Sequence, residues 1–392
     1  MSILTKYNYN KLTWYLSALY VCFVYFSLAI SNICLGLCFI VFVVGLITKQ
    51  IHFSFTKLHL KLYVLIGMPF MLTTISVLNS FGIINSLDFL WLRLPVILLP
   101  LVILNLKLVE QRDFSNIVRG YLAFSLLATA ITLFNAIKVG LEYGRMLDPD
   151  LTKEYITPIQ HPYYGIFTLI AIITTHNFDK IVKKQKTREF LILFFSVGVL
   201  LSTSRIAMIL LFSYLVFLLF KNKKMYKIAV IGGLTGMMFI IVFNTELKTK
   251  ILNTFTYQDS PRAWLWTNSY KILKYSNHKT LGAGIGDYYR VKRSPRQFIH
   301  SQKGIYGYNP HNQYLEFFIT NGVFGFLYLF AILYLLFLCY KAKILYSIII
   351  VVVICLFSFT ECIFNRQFGI QLYAFFLPVS MVLVMRKQTN IK

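Results

Sequence analysis

Charge is scarce in this chain of 392 residues: Asp, Glu, Lys and Arg make up 14% of it, against roughly 25% in soluble domains. Acidic residues are scarcest, 14 against 39 Lys and Arg, giving a formal net charge of +25. That shortage, with 57% hydrophobic residues and a mean hydropathy of +0.66, excludes a water-soluble globular domain. Cysteine is also sparse. The six cysteines lie in or beside apolar runs without metal-ligand spacing, so they read as small core residues. No internal repeat or low-complexity tract is present, and neither G-x-S-x-G nor H-E-x-x-H occurs. The run Gly282-Ala283-Gly284-Ile285-Gly286 is not G-x-G-x-x-G and opens no strand–helix unit, which excludes a dinucleotide site.

Apolar runs are abundant. They fall at 12–30, 33–48, 60–79, 88–105, 117–138, 160–176, 189–203, 206–220, 227–243, 313–339, 344–360 and 368–385. Each is about the length a helix needs to cross a bilayer. Lipid admits only helices or closed barrels, and these runs are too long and too uniformly apolar for barrel strands. The expected fold is therefore all-α: a polytopic membrane protein with about twelve transmembrane helices, forming a single integral membrane domain over 1–392.

The positive charge is patterned rather than clustered. Lys6 and Lys11, Lys49, Lys57 and Lys61, Lys107, Arg112 and Arg119, the run Lys180–Arg188, Lys221–Lys227, Lys341 and Lys343, and Arg386, Lys387 and Lys392 fall at the N-terminus, in alternate loops and at the C-terminus. This positive-inside pattern places both termini in the cytoplasm and gives no reason to invoke nucleic acid. The first run is too long for a signal-peptide core and has no small-residue cleavage site, so it reads as a retained span. The long polar segment 244–310 then lies outside. It carries eleven Lys and Arg against Glu246, Asp259 and Asp287, an excess that an anionic substrate would explain.

That outer loop carries its own signals. Ser260-Pro261 reads as a helix start. Ala263, Trp266, Tyr270 and Leu273 follow at helical spacing, predicting an amphipathic helix near the membrane surface. The glycine run then makes a tight connection. A second basic cluster comprises Arg290, Lys292, Arg293 and Arg296. In the smaller outer segment, Asp148-Pro149-Asp150 has D-x-D spacing but faces away from cytoplasmic nucleotide sugars.

Ionisable residues gather at the outer ends of spans, where they are functional candidates by default. His161 begins one span, and Arg205 sits in the turn Ser202-Thr203-Ser204-Arg205. Arg262 starts the surface helix. Arg93 lies just inside its span, within reach of Asp88 along the helix. Glu361 and Arg366 share the last outer turn. His311 opens the most informative stretch, Asn309-Pro310-His311-Asn312-Gln313-Tyr314-Leu315-Glu316, where the long loop re-enters the membrane.

His311-Asn312, nine residues, then Gly322-Val323-Phe324-Gly325 resembles the H-[NSQ]-x9-G-x-x-G signature of the O-antigen ligase family. Ser202–Arg205 resembles the serine/threonine-arginine turn of that superfamily, which includes O-antigen polymerases and protein O-oligosaccharyltransferases. Arg262 through Asp287 resembles its outer-loop block, and Thr360-Glu361 its late glutamate. The likeness spans roughly 155–385.

The resemblance implies a GT-C-type glycosyltransferase in the bacterial inner membrane with an extracytoplasmic active site. Its donor would be a glycan on polyprenyl pyrophosphate, and its acceptor lipid A–core or another glycan. Arg205 and Arg262 would hold the pyrophosphate, and His311 would serve as base or ligand. Glu361 would orient the acceptor or His311. His161, Arg93, Asn312 and Arg290 complete the expected substrate-binding set. The implied reaction is inverting, with neither cofactor nor metal. Membrane lipids and other polysaccharide-assembly proteins are the expected neighbours. O-antigen ligation is the first reading, and a polymerase, a protein-directed transferase and a lipid-linked glycan flippase are the alternatives.

Overall fold

The computed structural model describes residues 8–54, 56–80, 83–107, 110–144, 148, 151–178, 181–221, 231–233, 235, 261–275, 280–293 and 309–389. Among these residues the regular structure is entirely helical, as the apolar runs require. Helices occupy each predicted span except 227–243, which lies mostly outside the described residues. Six helical stretches are long and apolar enough to cross a membrane: Leu28–Ile47, Lys57–Leu78, Ser86–Asn105, Gln111–Tyr143, Gln313–Ala342 and Gln367–Lys387. Arg205–Phe220 and Leu345–Thr360 are shorter apolar helices. The protein is an all-α polytopic membrane protein.

The chain divides into two compact units. The first joins Met1–His52 to Leu106–Thr256. It contains α1 (Tyr9–Cys22), α2 (Leu28–Ile47), α6 (Gln111–Tyr143), α7 (His161–Asn177), α8 (Gln185–Leu201) and α9 (Arg205–Lys221). The predicted first span, 12–30, is not one helix. A short 3-10 turn follows α1, and Ser27, in extended conformation, caps α2 by accepting from the Ile30 amide. Helix α6 is longer than the run 117–138 and ends at Gly144, whose φ is +68°. Helix α7 is buried from Tyr163 through Thr175 and forms the centre of this unit. By contrast, α2 turns Ile33, Leu37, Ile40 and Ile47 outward. A contiguous apolar face of that kind suits lipid rather than water.

The second unit joins Phe53–Asn105 to Tyr257–Lys392. It contains α3 (Lys57–Leu78), α4 (Ile83–Arg93), α5 (Pro95–Asn105), α10 (Pro261–Tyr275), α11 (Ile285–Arg293), α12 (Gln313–Asn321), α13 (Phe326–Ala342), α14 (Leu345–Thr360) and α15 (Gln367–Thr389). Helix α15 is the central element, with Ile370, Leu372, Tyr373, Leu377 and Met381 all buried. Two predicted spans are interrupted here. The run 88–105 breaks at Leu94, because Pro95 disfavours helical geometry in the residue before it. That break leaves Arg93 at the end of α4. The run 313–339 breaks at Gly322, whose φ is +57°, and a 3-10 turn over Gly322–Gly325 carries the chain into α13.

Gly322 is where the outer-loop glycines meet the helices. The Ala283 amide donates to Ile319 O at 2.8 Å, Gly284 N to Thr320 O at 3.1 Å, and Val323 N to Thr280 O at 3.2 Å. A Cβ on Gly282 would lie 2.4 Å from Asn321 N, and one on Gly322 would lie 2.1 Å from Thr280 O. Two backbones therefore touch, and only glycine fits at the contact. Asn79 Nδ2 donates to Gly282 O at 3.0 Å, and Ser80 Oγ accepts from Gly286 N at 3.0 Å. Substituting Gly322→Ala adds both a clash and left-handed strain, with an expected loss of more than about 1 kcal/mol. Gly36→Ala, where nothing lies within 4 Å, serves as control. Thermal unfolding in detergent separates the two, and equal midpoints would refute the interlock.

Candidate active site

The His311 turn is built by its neighbours. Asn309 Oδ1 accepts from the His311 amide at 3.0 Å. Asn312 is extended and caps α12, accepting from the Leu315 amide at 3.0 Å. Between them His311 has a φ of +47°, a region that non-glycine residues enter at a cost and that recurs at functional sites. Its imidazole is 34% exposed, and Nδ1 lies 3.0 Å from Glu361 Oε2. An ionised carboxylate can only accept, so Nδ1 carries a proton and donates, and in the neutral imidazole Nε2 is then an acceptor.

Glu361 is 13% exposed and follows α14 in extended conformation. Its other oxygen, Oε1, lies 3.8 Å from a terminal nitrogen of Arg262, which is 36% exposed. Arg262 reaches this point because α10 is clipped to the turn: Trp266 Nε1 donates to Pro310 O at 2.8 Å. The inward face of α10 is Leu265, Ser269, Ile272 and Leu273. That face packs against α11 and α12, where Tyr288 and Ile319 complete a buried cluster. The stripe predicted from spacing included Tyr270, which is exposed instead. The amphipathic helix is present, but its apolar face covers protein.

Arg93 lies behind this cluster and departs from the sequence reading. Neither Asp88 nor solvent receives it. Arg93 and Glu316 are both 0% exposed and pair at 2.7 Å. Arg93 Nε donates to Phe364 O at 3.1 Å, and its terminal nitrogens donate to Thr73 Oγ1 and Asn365 Oδ1, each at 2.7 Å. Phe89, Phe317 and Phe364 surround the guanidinium. On the far side of the pair, Tyr289 OH donates to Glu316 Oε2 at 3.1 Å, and Asn365 Nδ2 donates to the same oxygen. Burial, then the Glu316 charge, raises the Tyr289 hydroxyl well above its ordinary pKa, so it remains a donor. The same two causes raise the Cys362 thiol. Arg93 is thus a structural anchor in this unit.

Sequence reasoning passed over Glu316, Asn365, Tyr289 and Gln313 as site residues. A signal for Glu316 was present. In a chain with so few acids, a carboxylate opening an apolar helix requires a partner.

His161 and Arg205 belong to the first unit. His161 opens α7 and Arg205 opens α9. Gly165 lets these helix starts adjoin, since a Cβ there would lie 2.7 Å from Ala207 Cβ and 2.8 Å from Ser202 Oγ. The turn before Arg205 is tightly set. Ser202 Oγ donates to Val199 O at 2.6 Å and accepts from Ser204 N at 3.2 Å, and Thr203 has a φ of +48°. Both candidates are half-buried at one end of that unit. Arg290 lies on α11, but its side chain is outside the described residues. So are Asp150 of the D-x-D segment, Ser260 and Arg296.

Residues 190–330 match the family model described as O-antigen ligase. That stretch is similar to the O-antigen ligase family. It takes in Arg205, Arg262, the interlocked glycines and His311, while Arg93, His161 and Glu361 lie beyond it. No curated protein matches the chain. The likeness of that stretch supports a glycosyltransferase-like role in O-antigen or polysaccharide assembly.

The buried ion pair has a measurable signature. Glu316→Ala leaves a guanidinium without its counter-charge in a sealed site, an expected loss of about 3–5 kcal/mol. The double substitution Arg93→Met with Glu316→Met should cost less than either Arg93→Met or Glu316→Met alone, because neither charge is then stranded. Denaturant unfolding in detergent measures the cycle, and strictly additive losses would show that the pair is not coupled.

Proposed function

We propose that this protein transfers a glycan from a polyprenyl pyrophosphate donor to an acceptor hydroxyl at the extracytoplasmic face of the bacterial inner membrane. The leading form is O-antigen ligation onto lipid A–core. One observation carries the reading: His311 Nδ1 sits 3.0 Å from Glu361, whose other oxygen faces Arg262, and His311 and Arg262 both lie in the stretch matched to O-antigen ligase. The positive-inside distribution of Lys and Arg supports the membrane face.

The chemistry follows from the groups present. Glu361 holds the imidazole in one tautomer, and Nε2 takes the proton of the acceptor hydroxyl. The acceptor oxygen then bonds to the anomeric carbon as the carbon–oxygen bond to the pyrophosphate breaks. Attack from the face opposite the leaving group inverts the anomeric centre. Arg262 offsets the charge that grows on the departing diphosphate, a role for which a permanently charged, bidentate donor is suited. Asn312 and Arg290 contribute to substrate binding. Arg262 supplies positive charge at the leaving group, so the proposed reaction needs neither metal nor cofactor, and a chelator should leave its rate unchanged. A polymerase would use the same donor and leaving group. Loss of glycan from lipid A–core after deletion, with lipid-linked polymer accumulating, indicates ligase, whereas a single repeat left on the core indicates polymerase.

Transfer by purified protein from lipid-linked glycan to acceptor, assayed in detergent, tests the roles. Removing the base by His311→Ala, or the phosphate ligand by Arg262→Ala, should lower the rate by about 10²-fold or more. Arg262→Lys should retain part of the activity, since it keeps charge but not the bidentate geometry. Wild-type rates from His311→Ala at normal folding would reject the reading.

A further inference from the structure

Three side-chain contacts tie the start of α12 to the turn 361–366, and they run in register. His311 meets Glu361 at 3.0 Å. Two residues further along α12, Gln313 Oε1 accepts from the Phe364 amide at 3.0 Å. Further still, Glu316 accepts from Asn365 Nδ2. The outer contact is partly exposed, while Gln313 and Glu316 are fully buried. A partly exposed pair contributes little on its own, so it cannot fix the direction of the Glu361 carboxylate. Buried, charge-assisted bonds can.

The turn is held on its other side as well. A Cβ on Gly369 would lie 2.1 Å from Ile363 O, so α15 presses directly on the 3-10 segment Ile363–Asn365. Arg93 reaches the same segment through Phe364 O and Asn365 Oδ1. Gln313 is otherwise hard to account for by packing. Its Nε2 is buried with no partner among the described residues, and an unpaired buried amide costs stability. Its one bond, to Phe364 N, is what the side chain contributes.

We propose that Gln313 and the Arg93–Glu316–Asn365–Tyr289 network are positioning residues that set the Glu361 carboxylate against His311. They touch no substrate and act through Glu361. The inference rests on the proposed transfer reaction, in which the Glu361-held imidazole is the base. A small error in such a constellation is costly, since a misplacement of about 1 Å can cost about 10²-fold in rate.

The test is a kinetic cycle on the full chain. Gln313→Met keeps the volume and removes the acceptor of the Phe364 amide. It should lower kcat about tenfold and leave KM within about twofold, as expected for an interaction realised in the transition state. In a Glu361→Gln background the same substitution should change kcat by less than about twofold, because its route of action is already gone. Tyr289→Phe preserves the ring against Phe89 and removes only the hydroxyl. It should lower kcat about threefold, with the same dependence on Glu361, and it decides the matter should Gln313→Met fail to fold. Equal kcat losses in both backgrounds, or none in either, overturn the positioning role. Loss of transfer in His311→Ala with that result sinks this inference alone, whereas full transfer in His311→Ala sinks the proposed reaction first.

Discussion

The buried pair of Arg93 and Glu316 organises everything around the candidate site. Five segments converge on it: α3 through Thr73, α4 through Arg93 itself, α11 through Tyr289, α12 through Glu316, and the turn 361–366 through Phe364 and Asn365. Removing both ions from water costs several kcal/mol each, and attraction offsets this only when the remaining donors and acceptors are satisfied. Here Glu316 accepts from three groups and Arg93 donates to four. A looser arrangement would be unstable, so the pair fixes the relative placement of all five segments. In an apolar protein such a pair is too costly to arise from incidental packing.

A second constraint acts at the opposite end of α12. The glycine loop 282–284 bonds to the backbone of residues 319–320, and Gly322 accepts the close approach. Helix α12 has only nine residues, too few to be stable in isolation. It persists because its start is tied to the turn 361–366 and its end to the glycine loop. His311 therefore projects from an element held at both ends, the condition under which a strained backbone can be maintained.

Much of this was legible in the sequence, and the limits have physical causes. Apolar runs located the helices because lipid leaves the chain few alternatives. The break at Pro95 is a local effect, yet the run 88–105 read as one span because hydropathy does not register it. The partner of Arg93 was not legible. Asp88 lies on the same helix, whereas Glu316 is 223 residues away, and one sequence does not say which distant segment supplies a counter-charge. The inward face of α10 was misread for a related reason. Trp264, Trp266 and Tyr270 give that helix aromatic residues on several faces, so spacing alone selects no single stripe. Gly322 stood in the sequence as part of the family signature, and its role as the contact point for a distant loop was not legible.

The contrast between the two partners of Glu361 bears on how a diphosphate would enter. His311 is held at hydrogen-bond distance, whereas Arg262 stands 3.8 Å away and is more than a third exposed. An exposed pair of that kind contributes about 1 kcal/mol at most. A guanidinium so loosely held can turn toward a more highly charged anion at small cost, because two phosphates offer bidentate bonds that one carboxylate oxygen does not. Once Arg262 turns, Glu361 keeps only the imidazole, and the negative charge facing Nδ1 is no longer shared. In the proposed reaction, the geometry that makes Arg262 a weak structural contact is the same geometry that leaves it able to hold a leaving group.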